Sequence, residues 1–209
     1  MSIDARARRR SGGRQRGQAL VEYTLLVPVF LLILLGMLEF GLVFSHDLTL
    51  EYATREGART GAALANGGTT NCPSGTYDPD PDIIAAVERV LTSPGSPVAN
   101  NIASVTQIQI YKATAAGAPV SAATTNTWVP GTGPIVDGVP MKFRLSGTQN
   151  WTACQRNNAT VPPDSIGVNL KYTYTMVTPL AAIVGFFGPP GPATLPMHDQ
   201  TVMSLNPTN

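Results

Sequence analysis

Residues 16–41 read RGQALVEYTLLVPVFLLILLGMLEFG, and no residue in 23–38 is charged. Low polarity continues through Leu42, Val43 and Phe44. At ~1.5 Å per residue, a helix over 19–44 covers roughly 39 Å, more than the ~30 Å hydrocarbon core of a bilayer. Such a run is a membrane anchor rather than the core helix of a soluble domain, and it divides the rest of the chain into two sides. Pro28 interrupts it, as spanning helices tolerate when a neighbour or a local adjustment satisfies the freed carbonyl. Two carboxylates bracket the run, Glu22 and Glu39. A charge in hydrocarbon costs at least ~2.5–3.5 kcal/mol on insertion scales, so each needs a physical reason.

The net charge of +1 hides an asymmetry. Arg6, Arg8, Arg9, Arg10, Arg14 and Arg16 stand against Asp4 alone before the anchor, and the remainder of the chain is acidic on balance. A basic tail directly before an apolar run holds the N-terminus in the cytoplasm and sends the C-terminal remainder of the chain outside. A nucleic-acid-binding arm is the weaker reading, because the rest of the chain shows no basic face. A length of 209 residues accommodates one anchor and one domain of moderate size.

The chain thus divides into three zones. Residues 1–17 are Arg-, Gly- and Ser-rich without apolar periodicity and read as a disordered leader. Residues 18–66 read as one long helix that includes the membrane segment, about 19–44, and stops at Gly67 and Gly68. Its outer part carries Ala53, Gly57 and Gly61 four apart, a stripe almost without side chains. Interior glycines cost ~1 kcal/mol each relative to alanine, so close packing is the favoured explanation over a solvated Ala/Gly-rich helix. Residues 67–209 read as an extracytoplasmic α+β domain. Within it, DPDPDIIAAVERVLTSPG predicts a second helix with Asp80 as N-cap, Pro81 at the first position and an apolar face of Ile83, Ile84, Val87, Val90 and Leu91.

The period then changes from 3.6 to 2. SVTQIQIYKA alternates around Ile108 and Ile110, and PMKFRLSG sets Met141, Phe143 and Leu145 opposite Lys142 and Arg144. In IGVNLKYTYTMV, Ile166, Val168, Leu170, Tyr172, Tyr174 and Met176 share one face, as in a half-buried antiparallel strand. QTVMSLN predicts a short last strand. LAAIVGFFG, residues 180–188, is too short to span and reads as a core insert or a short helix under the sheet, with a membrane-touching or partner-binding patch as the alternative. Cys72 and Cys154 both fall on the outer side and match no zinc spacing. A disulfide between them is the expectation and two buried free thiols the alternative.

Chemistry of other kinds finds little footing. His46 and His198 are isolated, and no nucleophile-elbow, zinc-protease or phosphate-loop pattern occurs. Asp78, Asp80 and Asp82 alternate with prolines in a register that breaks a calcium loop, and they suit a turn into a capped helix. No enzyme, metal site or cofactor is expected.

The opening of the anchor carries the sharper signal. GQALVEY, residues 17–23, is a glycine, four residues, then Glu-Tyr at the mouth of an apolar helix. It resembles the processing motif of type IV pilin precursors of the Flp, or tight-adherence, class. With ATREGARTGA beyond the anchor, residues 16–63 look like TadE-like pseudopilins of that machinery. The resemblance implies cleavage between Gly17 and Gln18 by a prepilin peptidase at the cytoplasmic face, and subunit pairing through Glu22 and Tyr23. It also implies other pilins and pseudopilins, the inner-membrane assembly platform and the lipid bilayer as partners, with no nucleic acid. The chain would then be a single-pass inner-membrane protein and a minor or assembly-initiating pilus component. Cleavage would create an amine at Gln18 to answer the Glu22 carboxylate, either a neighbour's or its own. Glu39 is expected at the outer headgroup level, with partner contact as the alternative. Two rival readings remain. An exported domain on a signal sequence could be cut after VFS, but Glu22 and the length of the apolar run count against it. A major pilin is the other, although major Flp pilins are far shorter.

Overall fold

The computed structural model describes residues 12–64, 76–158, 162–187 and 192–205. It is α+β: a long N-terminal apolar helix leads into a domain with a helix and an antiparallel sheet.

Helix α1, Gly12–Ala63, is continuous for 52 residues with Pro28 inside it. That is roughly 78 Å at ~1.5 Å per residue. Residues 12–17, expected to be an unstructured leader, are helical instead. Once the apolar run has nucleated a helix, adding Arg14, Gln15 and Arg16 upstream is cheap, because propagation costs far less than nucleation. The helix ends at Ala63, three residues short of the predicted stop, and Gly67 and Gly68 lie outside the described residues.

Helix α2, Asp80–Leu91, buries Ile83, Ile84, Ala86, Val87 and Leu91. Its apolar face is the one the 3.6 period predicts. Asp80 is not its cap: the N-cap position is Pro79, and the Asp80 amide donates to Asp78 Oδ1 at 3.1 Å. The Asp80 side chain is drawn instead to the buried guanidinium of Arg156.

Strands β1 (Val105–Ala113), β2 (Thr125–Pro130), β5 (Phe143–Leu145), β6 (Ser165–Thr175) and β7 (Thr194–Ser204) form one antiparallel sheet in the order β5-β2-β1-β6-β7. Between β2 and β5 a two-stranded ribbon pairs β3 (Ile135–Val136) with β4 (Val139–Pro140). Helix α3, Leu180–Phe187, interrupts the connection from β6 to β7 and touches α1. Ile108 faces Leu170 and Ile110 faces Val168 across the β1–β6 ladder, and all four are buried. The outer part of α1 and α2 cover this face, so one core runs from Leu50 and Ala53 through Ile83 and Val87 to the sheet.

Two strands of the five-stranded sheet depart from the sequence reading. β2 was not expected, because it brings only one large apolar side chain, Trp128, to the core face and buries the polar Thr125 and Asn126 instead. β7 begins six residues before the predicted strand, at Thr194. Pro196 discouraged that extension, yet β7 pairs only with β6, and an edge strand tolerates a missing N–H.

Candidate functional site

Helix α1 has two halves of opposite character. Among residues 17–44, Glu39 is the one buried position; the apolar residues around it face outward, Met37 and Phe40 at 71% and 72% exposure. A lower half this apolar, with little covering from the described residues of its own chain, suits a bilayer or a bundle of other helices. Near its start, the Gln18 side-chain amide donates to Glu22 Oε1 at 3.0 Å, while Tyr23 stands exposed one position on. Nothing lies within 4 Å of where a Gly17 side chain would begin. No packing among the described residues therefore requires a glycine there.

Glu39 has definite partners within its own chain. Tyr174 at the end of β6 donates its hydroxyl to Glu39 Oε1 at 2.5 Å, the Val177 amide donates to the same oxygen at 3.3 Å, and the Thr178 amide donates to Oε2 at 3.0 Å. Exposure falls to 3%. The carboxylate thus clips the membrane helix to the turn between β6 and α3. Burial, and then the adjacent carboxylate, raise the Tyr174 pKa, which keeps its hydroxyl a donor. Two turns further out, His46 stacks on Tyr172 with ring centroids 5.4 Å apart and meets Tyr174 edge-on at 5.0 Å. This cluster of His46, Tyr172, Tyr174 and Glu39 escaped sequence reasoning, although Tyr172 and Tyr174 were on the predicted inward face of β6.

Above the clip, α1 lies against the sheet through small residues. Ala53 is fully buried, and Gly57 and Gly61 are buried with it. A side chain built at Gly57 would begin 2.5 Å from Val87 Cγ2, and one at Gly61 would begin 2.6 Å from Ile166 Cδ1 and 3.0 Å from Ile83 Cδ1. α2 and β6 both occupy the space that two side chains would need. Beside the glycines, the buried Thr54 hydroxyl donates to Asp199 on β7 and lies 3.1 Å from the Thr201 hydroxyl. Glu51 and Arg55 pair at 2.5 Å on the exposed side, in the order favourable for i,i+4 partners.

A second polar knot holds the far side of the domain. Asp80 and Arg156 form an ion pair with both side chains fully buried. Asn126 Nδ2 donates to Asp80 Oδ2 at 2.6 Å and to the Trp151 carbonyl at 2.7 Å, and its Oδ1 accepts the Asn150 and Trp151 amides, each at 2.8 Å. The Arg156 guanidinium lies 4.7 Å from the centre of the Trp151 ring. These bonds fix the loop that carries Cys154, a buried residue in the turn Ala153–Gln155. Cys72, its predicted partner, lies outside the described residues. Asp78 accepts from Gln149 at 2.8 Å, which leaves the aspartate-proline segment tied to protein donors. His198, the other isolated histidine, is exposed on β7.

Residues 17–59 match the family described as TadE-like protein. The matched stretch begins at Gly17 and ends between Gly57 and Gly61, so it takes in the processing-motif residues, the apolar span, Glu39 and most of the small-residue stripe. No curated protein and no solved structure matches the chain.

Proposed function

We propose that this chain is a pseudopilin-type subunit of a Flp, or tight-adherence, pilus machine, made as a precursor and matured by cleavage between Gly17 and Gln18. The match of residues 17–59 to the TadE-like family carries the reading. The geometry supports it in two ways: the lower half of α1 offers a largely apolar exposed surface to other helices, and one face of its upper half packs on a folded domain. The subunit sits in the inner membrane with its N-terminus in the cytoplasm, as the basic leader directs, and presents the domain outside.

Gly17 suits a scissile position because a peptidase working at the membrane face needs close backbone access, which a side chain obstructs. No contact among the described residues explains the glycine. Cleavage at that bond gives Gln18 an α-amine one helical turn from Glu22. A cation there offsets the cost of holding the carboxylate near hydrocarbon. In an assembled filament the amine of a neighbouring subunit takes that place, and Tyr23 lies in the same contact. A domain this size on the helix fits a minor or initiating subunit. Sequencing the N-terminus of the mature protein tests the reading directly. Gln18 is the expected first residue; His46 would indicate a signal peptide, and an intact leader in cells holding a prepilin peptidase would overturn the assignment.

A further inference from the structure

The Glu39 clip fixes the depth of the β6–α3 turn along the membrane helix. Counting from Ala19 at the cytoplasmic edge, a ~30 Å hydrocarbon core is crossed in about 20 residues at ~1.5 Å each, which brings the outer boundary to Leu38 and Glu39. The amides of Val177 and Thr178 are bonded to that very carboxylate, and α3 begins two residues later at Leu180. β6 descends toward this level: Ile166 lies beside Gly61, Val168 beside Gly57, and Tyr174 at Glu39. β7 climbs away from it, since Thr194 pairs with Thr175 and Ser204 with Ser165. The β6–α3 turn and α3 therefore lie at the membrane-facing end of the domain.

Its composition matches its place. α3 reads LAAIVGFF, with no polar side chain in eight residues, and Val177 just before it is 77% exposed. An apolar helix in open water at that height would carry an avoidable cost. Laid into the headgroup and acyl boundary it removes apolar surface from water at roughly 25 cal/mol per Å².

We propose that α3 is a second membrane contact, a short helix resting in the outer leaflet beside α1, so that the domain meets the bilayer at two points and is held in a fixed orientation to it. One point alone would leave the domain free to swing about α1. With two, the sheet edge keeps a constant direction relative to the plane in which other subunits arrive. The occupant of the α3 surface is lipid, and a pilin helix covering the same surface is the competing outcome.

This inference rests on reading the apolar run that begins at Ala19 as the bilayer span, and the test separates the two. The full chain is reconstituted alone into phosphatidylcholine vesicles, and flotation reports whether α1 inserts. An Ala182→Trp variant places an indole on an exposed position of α3. Trp128 and Trp151, both buried in the domain, provide a background that the wild type subtracts. Ala116→Trp, on the exposed β1–β2 turn at the far end of the sheet, is the control. In vesicles of acyl-brominated lipid the added Ala182→Trp emission should be blue-shifted and lose roughly half its intensity or more, as for a ring about 5–10 Å into the boundary. The Ala116→Trp emission should be unchanged. A protein that floats but whose Ala182→Trp emission behaves like the control overturns the lipid contact and leaves α3 to a pilin neighbour; one that fails to float overturns the anchor reading itself. If Ala182→Trp disturbs the far-ultraviolet spectrum, Val177→Trp serves the same measurement with the same outcomes.

Discussion

The Tyr174 hydroxyl donates to Glu39 across 135 residues of sequence, at 2.5 Å and in a buried setting. The bond joins the membrane helix to the strand that runs the length of the domain. A carboxylate accepting one hydroxyl and two backbone amides spends most of its lone pairs inside the protein, which removes the need to hydrate it at the bilayer edge. Glu39→Ala should therefore leave three donors without an acceptor and lower the stability of the domain in detergent by about 1–3 kcal/mol per group left unsatisfied. Glu39→Gln keeps an acceptor oxygen and should cost less. Thermal unfolding of the purified chain measures both, and a Glu39→Ala variant that melts with the wild type would show that the clip does not stabilise the domain.

The glycines of α1 predict opposite outcomes at opposite ends. Gly61→Leu drives a branched side chain against Ile166 and Ile83, where overpacking typically costs about 1–3 kcal/mol. Gly36→Leu meets nothing within 4 Å of its first carbon, so domain stability should not move. Equal melting temperatures for the two variants would mean that α1 does not pack on the domain through its small residues.

Asp80 and Arg156 predict a coupling. Removing one member of a buried ion pair strands the other and costs about 3–5 kcal/mol, whereas replacing both by apolar residues of similar volume is often near neutral. Asp80→Ala and Arg156→Met should each destabilise strongly, and the double variant should be less damaged than the sum of the two. A double-mutant cycle in urea reads this out, with additive effects as the result that excludes the pair as a unit.

These features differ in how far the sequence exposes them. β6 announces itself because Ile166, Val168, Leu170, Tyr172 and Tyr174 alternate with polar residues, and alternation is a local property. The face of α2 is local in the same way. Asn126 and Arg156 are illegible, since a polar residue in a loop or short strand reads as solvated until Asp80, 46 and 76 residues away respectively, is seen to meet it. Glu39 belongs with them. Its position at the end of an apolar run was plain, but its partner is a tyrosine far down the chain, and no periodicity connects the two. The stretch from Gly17 to Tyr23 is the converse case: its residue spacing carries the resemblance, while almost nothing else in the fold touches it.

The Cys72–Cys154 bridge is the fourth expectation. Cys154 is held in a turn that the Asp80–Arg156 network fixes, so a bond there would pin the segment after α1 to the sheet side of the domain. In the chain-entropy account, closing a loop this long contributes ~3–4.7 kcal/mol. Peptide mapping of exported protein under non-reducing conditions should return one linked pair containing both cysteines. Two alkylated thiols in folded, oxidised protein would end the proposal.

The fifth concerns Glu22, whose side chain accepts from the Gln18 amide at 3.0 Å on an otherwise exposed stretch of α1. That bond is neutral on the donor side and local, so within one chain it offsets little of the cost of an acid in hydrocarbon. Were this the whole role of Glu22, an uncharged replacement should favour insertion by up to ~2.5–3.5 kcal/mol, less near the interface. If Glu22 instead receives the new amine of a neighbouring subunit, Glu22→Gln should insert and be cut after Gly17, yet fail to assemble. Losing a charge pair in a low-dielectric setting costs several kcal/mol, enough to abolish a weak lateral contact. Gln retains the size and the hydrogen-bonding capacity of the side chain, so a loss of assembly isolates the charge. Crosslinking of mature Glu22→Gln to the other pilins is the measurement. Wild-type yields would falsify subunit pairing through this residue and confine Glu22 to recognition by the peptidase.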